Sequence, residues 1–133
     1  MGLRCLIIDD SEEFLASART LLSVQGMEVV GASTSGIAAL QLAEQMQADV
    51  ALVDVQLGAE DGLELARQLH ERVPATSIII VSTRSRDELL DLIAETPAIG
   101  FLDKTSLSAA AIAELIDHGD GLGRDHVTRP TPS

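Results

Sequence analysis

The sequence predicts a single α/β domain built on a five-stranded parallel sheet. Short, nearly continuous apolar runs alternate with longer segments of helical spacing, the rhythm of parallel strands joined by crossover helices. A length of 133 residues suits one domain, and 46% hydrophobic residues suffice for a core without disulfides or a structural metal.

The strands are expected from Leu3 to Asp9, Met27 to Ala32, Val50 to Asp54, Ser77 to Ser82 and Ile99 to Leu102, each too short and too uniformly apolar for a surface helix. The first helix should run from Glu12 to Gln25. Ser11 would cap it, acids fill its first turn, Gly26 ends it, and Phe14, Ala18, Leu21 and Leu22 share its inner face. Leu63, Ala66 and Leu69 make the same stripe on the third helix. Ser85-Arg86-Asp87-Glu88 fits a capping box and opens a fourth helix. Ser106 would cap a fifth, running from Ala109 to Asp117 and stopped by Gly119-Asp120-Gly121. The folded domain is thus expected over residues 1–118, and residues 119–133 as a flexible tail.

Nine basic and 21 acidic side chains give a net charge of −12. Asp120 and Asp125 balance Arg124 and Arg129, so that charge falls on the expected domain. With no Trp or Tyr and only Phe14 and Phe101, there is neither a basic surface to track phosphates nor a platform for stacked bases, which excludes direct nucleic-acid binding by this domain. No apolar run approaches the roughly 20 residues of a membrane span. The lone Cys5, inside strand one, reads as a small core hydrophobe of a reducing, cytoplasmic compartment. His70, His118 and His126 share no face and read as surface residues.

Ligands of open parallel sheets bind beyond the carboxyl ends of the strands. Strand one ends in Asp9-Asp10, strand three in Asp54 and strand four in Ser82-Thr83, while Lys104 follows strand five. Any one of these acids is better explained as a loop or cap residue; their combination on one edge points to chemistry. Three carboxylates and one ammonium sum to −3 + 1 = −2, which repels phosphate and favours a hard divalent cation, Mg2+. Asp9 and Asp10 form a pair suited to the metal, and Asp54, alone at the end of the central strand, is the candidate nucleophile towards phosphorus. Ser82 and Lys104, the only lysine, are candidate donors to phosphoryl oxygens.

At these residues the chain resembles the receiver domain of two-component response regulators over about Leu3 to His118. The segments that carry the likeness are Leu6-Ile7-Ile8-Asp9-Asp10, Ala51-Leu52-Val53-Asp54, Asp61-Gly62-Leu63-Glu64-Leu65, Ile79-Ile80-Val81-Ser82 and Gly100-Phe101-Leu102-Asp103-Lys104. The resemblance implies a doubly wound, flavodoxin-like (βα)5 fold with strand order 2-1-3-4-5. It implies phosphoryl transfer to Asp54 from the phosphohistidine of a sensor histidine kinase or phosphotransfer protein. It further implies that Asp10 and Asp54 ligate Mg2+ directly, Asp9 through water, and Gln56 through its backbone carbonyl. Ser82 and Lys104 match the phosphoryl-contacting hydroxyl and lysine, and Phe101 matches an aromatic relay that turns inward on activation. A downstream protein partner would then meet the face of helix 4, strand 5 and helix 5, with Arg84 and Arg86 at its edge. The implied activity is that of a phosphoacceptor, not a turnover enzyme.

Four residues depart from the family pattern. Thr105 stands where proline usually follows the lysine, and without proline a cis peptide costs roughly 3–4 kcal/mol. Gly58 replaces a proline four residues after the acceptor and loosens that loop. Thr83 narrows the pocket entrance where Ala or Gly is common. Asp103 adds an acid beside Lys104, which strand alternation should direct to the other face. Thr83 and Thr105 keep open a second reading, a receiver-like scaffold that is not phosphorylated. An FMN-binding flavodoxin-like protein is disfavoured, because Asp9-Asp10-Ser11-Glu12-Glu13 would repel the flavin phosphate. Adjacent aspartates, instead of Asp-x-Asp, argue against a Mg2+-dependent phosphohydrolase.

Overall fold

Parallel strands covered on both faces need apolar side chains pointing both ways, and the central strands of this protein supply them. In a computed structural model that describes residues 3–57, 60–83 and 86–124, the main sheet comprises β1 (Arg4–Ile8), β2 (Glu28–Ser33), β3 (Val50–Asp54), β4 (Ser77–Ser82) and β5 (Gly100–Asp103). All pairings are parallel, in the order β2-β1-β3-β4-β5. This is the doubly wound, flavodoxin-like arrangement expected from the sequence. The helices are α1 (Glu12–Val24), α2 (Gly36–Met46), α3 (Gly62–Arg72), α4 (Arg86–Ala94) and α5 (Ala109–Arg124), with a 3-10 turn at Lys104–Ser106.

Alternation along the strands divides the core in two. Leu6, Ile8, Ala51, Val53, Ile78 and Ile80 face α2 and α3, meeting Ala39, Leu40, Ala43, Ala66 and Leu69. Cys5, Ile7, Val50, Leu52, Ile79 and Val81 face the other way, against Leu15, Ala18 and Leu22 of α1 and Ile112 of α5. Every residue of β3 is buried, so the strand carrying Asp54 is the most enclosed element of the sheet.

Several local expectations are corrected. The inner stripe of α1 is Leu15, Ala18 and Leu22, spaced by three and four; Leu21 lies one step off it and is 38% exposed. Ser11 does cap this helix, its hydroxyl accepting from the Phe14 N–H at 3.1 Å. Gly26, at φ +98°, ends it in a conformation that favours glycine. The cap of α5 is Ser108, not Ser106: its hydroxyl accepts from the Ala111 N–H at 3.0 Å, while Ser106 is taken up by the 3-10 turn. α5 also runs through Gly119-Asp120-Gly121 to Arg124, since a glycine stops a helix only when it takes the left-handed conformation, and these keep negative φ. The expected tail from Gly119 is therefore helical to Arg124. Its residues from 125 on, with His126, lie outside the described residues, as do Gly58, Arg84 and Ser85 and the side chains of Arg86 and His118.

One element has no counterpart in the periodicity. Gln56–Leu57 and Glu60–Asp61 form a two-stranded antiparallel ribbon directly after β3. Its Glu60 Oε1 accepts from the Gly36 N–H at 2.9 Å, which ties the ribbon to the start of α2. Asp61 caps α3, accepting from the Leu63 N–H at 3.0 Å. Gly62 packs so tightly that a Cβ there would run into the backbone carbonyl oxygen of Asp54, and its N–H donates to the Val55 carbonyl at 2.9 Å. Only glycine allows α3 to begin this close to the strand end.

Candidate functional site

The carboxyl ends of β1, β3 and β4 and the turn after β5 converge on a cleft of about 230 Å3 lined by Asp10, Asp54, Val55, Gln56, Ser82, Thr83 and Lys104. Asp9 lies beneath it, 1% exposed, with its Oδ1 accepting from the Ser11 N–H at 2.8 Å. That bond turns the chain from strand into helix and fixes the carboxylate. Asp10 is exposed, Asp54 and Ser82 are buried, and one oxygen from each of Asp9, Asp10 and Asp54 lies within 4.8 Å of the others. The structure thus brings together six of the seven residues singled out from the sequence: Asp9, Asp10, Asp54, Gln56, Ser82 and Lys104. Phe101 stands apart, half-buried, opposite Ile80 in the β4–β5 register and packed on the α2–α3 side of the core.

Lys104 enters the cleft from the 3-10 turn, and its peptide bond to Thr105 is trans. The ammonium lies 2.6 Å from Asp9 Oδ2 and 3.9 Å from Asp54 Oδ2. It also stands 4.5 Å from the centroid of the Phe14 ring, a cation–π contact. The contact with Asp9 is a close, buried ion pair, so Lys104 serves Asp9 before Asp54. Phe14 was not singled out as a site residue from the sequence. The available signal was its place one helical turn beyond Asp10, which brings it back to the strand-end edge.

Burial pushes the Asp54 carboxyl up to about 6, and the Asp9 and Asp10 charges add to the rise; Lys104 and the Gln56 backbone N–H pull it down. The site is therefore short of positive charge. An oxygen-seeking divalent cation fits it: three carboxylates converge with oxygens within 4.8 Å of one another, against a single ammonium. Such an ion would neutralise the carboxylates and admit a further anion. Asp103 is held locally by Thr105, its Oδ1 accepting from the Thr105 N–H at 2.9 Å and hydroxyl at 2.7 Å. Thr83 is exposed on the cleft wall. His70 is exposed on α3, away from the cleft.

The sheet order and the acids at its rim define a signal-receiver type of α/β domain. The chain belongs to the response regulator receiver domain family, whose model matches residues 5–117. It is 31% identical over 115 residues to the transcriptional regulatory protein LiaR of Bacillus subtilis (strain 168), covering 86% of this chain and 54% of LiaR. It is 29% identical over 115 residues to the response regulator GacA of Pseudomonas viridiflava, covering 86% and 52%. The chain spans about half the length of these curated relatives. Among solved structures, the signal receiver domain of NarL from Mycobacterium tuberculosis superposes with a TM-score of 0.77 at 27% identity, covering 90% of this chain and 98% of that one. The signal receiver domain of a modulated diguanylate cyclase from Desulfovibrio desulfuricans G20 gives 0.75 at 28%, covering 90% and 94%. No helix among the described residues is long and apolar enough to cross a membrane.

Proposed function

We propose that this domain is a cytoplasmic, phosphorylation-dependent signalling switch with Asp54 as phosphoacceptor. The observation that carries the reading is the placement of Asp54: it ends the central strand inside a cleft, between Asp9 and Asp10 on one side and Lys104 on the other. A carboxylate oxygen of Asp54 attacks the phosphorus of a phosphohistidine on a sensor histidine kinase or phosphotransfer protein. An O–P bond forms, the P–N bond breaks, and the imidazole nitrogen leaves with the electron pair. Lys104 favours the ionised form of Asp54 that this step needs. The Ser82 hydroxyl and the Lys104 ammonium, which line the same cleft, donate to the transferred oxygens. Asp9, Asp10, Asp54 and the Gln56 carbonyl would hold Mg2+, which supplies the positive charge that lets a phosphoryl group approach.

The new group adds about −1.5 to −2 charge and strong acceptor oxygens. Lys104 and Ser82 are drawn towards them. Because Ser82 ends β4 and faces Asp103 of β5, that pull reaches the β4–β5 edge, where Phe101 acts as the relay and the α4–β5–α5 face meets a downstream protein. The domain is a phosphoacceptor that assists its own phosphorylation and dephosphorylation.

The test is intact-mass analysis after incubation with Mg2+ and a small phosphodonor such as acetyl phosphate. Wild type should gain one phosphoryl group and Asp54→Asn none. No gain in wild type, under conditions that modify a control receiver, would establish the non-phosphorylated scaffold instead.

A further inference from the structure

The lysine at the site sits in a turn without proline, Asp103-Lys104-Thr105-Ser106, yet its side chain is drawn into the cleft and only 16% exposed. What shapes the turn is a pair of hydrogen bonds that bracket the lysine. Asp103 Oδ1 accepts from both the Thr105 N–H (2.9 Å) and the Thr105 hydroxyl (2.7 Å). Asp103 is also the N-cap of the 3-10 turn, in an extended conformation at φ −69° and ψ 139°. Such a side-chain turn fixes the backbone before and after the residue it spans, and so the direction in which that side chain leaves. The Lys104 stem leaves towards Asp9, Asp54 and the Phe14 ring. Asp103 itself gives no ion pair to the lysine; its carboxylate oxygen is committed to Thr105, which holds its pKa below the usual carboxylate range.

We infer that Asp103 and Thr105 are positioning residues: their side-chain turn aims the Lys104 ammonium into the cleft, where proline constraint is absent. The inference rests on the proposed phosphoacceptor function for its effect on rate, but not for its effect on the position of the lysine. The two are separable because Lys104 is the only lysine in the chain. Its side-chain methylene next to the ammonium should give a single lysine signal in a carbon–proton NMR spectrum, displaced by the ring current of Phe14 4.5 Å from the ammonium.

The experiment compares wild type with Thr105→Val, Thr105→Ser and Asp103→Ala, each first shown to be folded by far-UV circular dichroism. Thr105→Val, which loses only the hydroxyl donor, and Asp103→Ala should move the Lys104 signal towards its position in urea-unfolded protein. Both should slow phosphoryl uptake from acetyl phosphate by about tenfold. Thr105→Ser should restore both readouts. If Asp103→Ala does not fold, the valine and serine variants decide. A Lys104 signal unmoved in Thr105→Val overturns the inference, and a moved signal with wild-type uptake overturns its effect on rate. Absence of uptake in every protein, wild type included, would sink the phosphoacceptor reading while the NMR comparison still decides the positioning role.

Discussion

Replacing Asp54 by asparagine should stabilise the metal-free protein, and the gain should depend on pH. The Asp54 carboxyl rises from its ordinary value of 3.8 to about 6 on folding, so between these values the folded chain holds a proton that the unfolded chain has released. More protons bound in the folded state means that stability falls as pH rises. Asparagine has nearly the same shape and no charge to bury, so it removes this dependence. At 1.36 kcal/mol per pH unit, the full difference is about 3 kcal/mol at neutral pH, about 1.5 kcal/mol near pH 5 and close to zero below about pH 4. The measurement is urea unfolding in EDTA at a series of pH values. It is followed by far-UV circular dichroism because the chain has neither Trp nor Tyr. A wild-type minus Asp54→Asn difference that stays flat from about pH 4.5 to 7.5 would refute the assignment of a buried, charge-crowded Asp54.

Other perturbations test the surroundings. Gly62→Ala should destabilise by about 3 kcal/mol, because the added Cβ meets the Asp54 carbonyl and no flexible side chain can yield; an unchanged urea midpoint would contradict the packing. Leu69→Ala, at a fully buried site between α3 and the sheet, should cost about 2–5 kcal/mol in the same assay. Cys5 is buried in β1 and its thiol pushed up to about 12, so a thiol reagent at neutral pH should label it only in denaturant. Adding Mg2+ should raise the wild-type unfolding free energy in urea by about 2.7 kcal/mol at a hundredfold excess over Kd, and raise that of Asp10→Asn less. Equal shifts in both would remove Asp10 from the ligand set.

The fold was legible because β1, β3 and β4 are apolar on both faces, a pattern that few other elements share. The candidate site was legible for a related reason: polar residues at the ends of such strands stand out, and Asp9, Asp10, Asp54 and Ser82 all follow uninterrupted apolar runs. What escaped was set by contacts between distant segments. Two-residue strands carry no period, so the ribbon of Gln56–Leu57 and Glu60–Asp61 left no trace beyond the acids that cap and tether it. Ser106 and Ser108 are equally good caps by type, and only the intervening 3-10 turn selects Ser108. Phe14 reads as core because it falls on one stripe with Ala18 and Leu22, and it does pack against that core. Its ring faces Lys104, 90 positions along the chain, and no local spacing encodes that meeting.

The unequal sharing of Lys104 links two of these predictions. The single ammonium lies nearer the most buried carboxylate, Asp9, than Asp54, so Asp54 carries the unbalanced part of the −2 at the cleft. Burial of that charge raises the Asp54 pKa most, the neighbouring Asp9 and Asp10 charges add to the rise, and the same uncompensated charge would draw a cation into the cleft. The stability that asparagine restores and the stability that Mg2+ would confer therefore both come from relieving the buried, crowded charge of Asp54. They should not add: Mg2+ should stabilise wild type strongly and Asp54→Asn weakly, so that the two proteins approach each other in stability as the metal concentration rises. Additive gains would mean that the cation binds elsewhere, and that the carboxylates at the strand ends are not the charges it relieves.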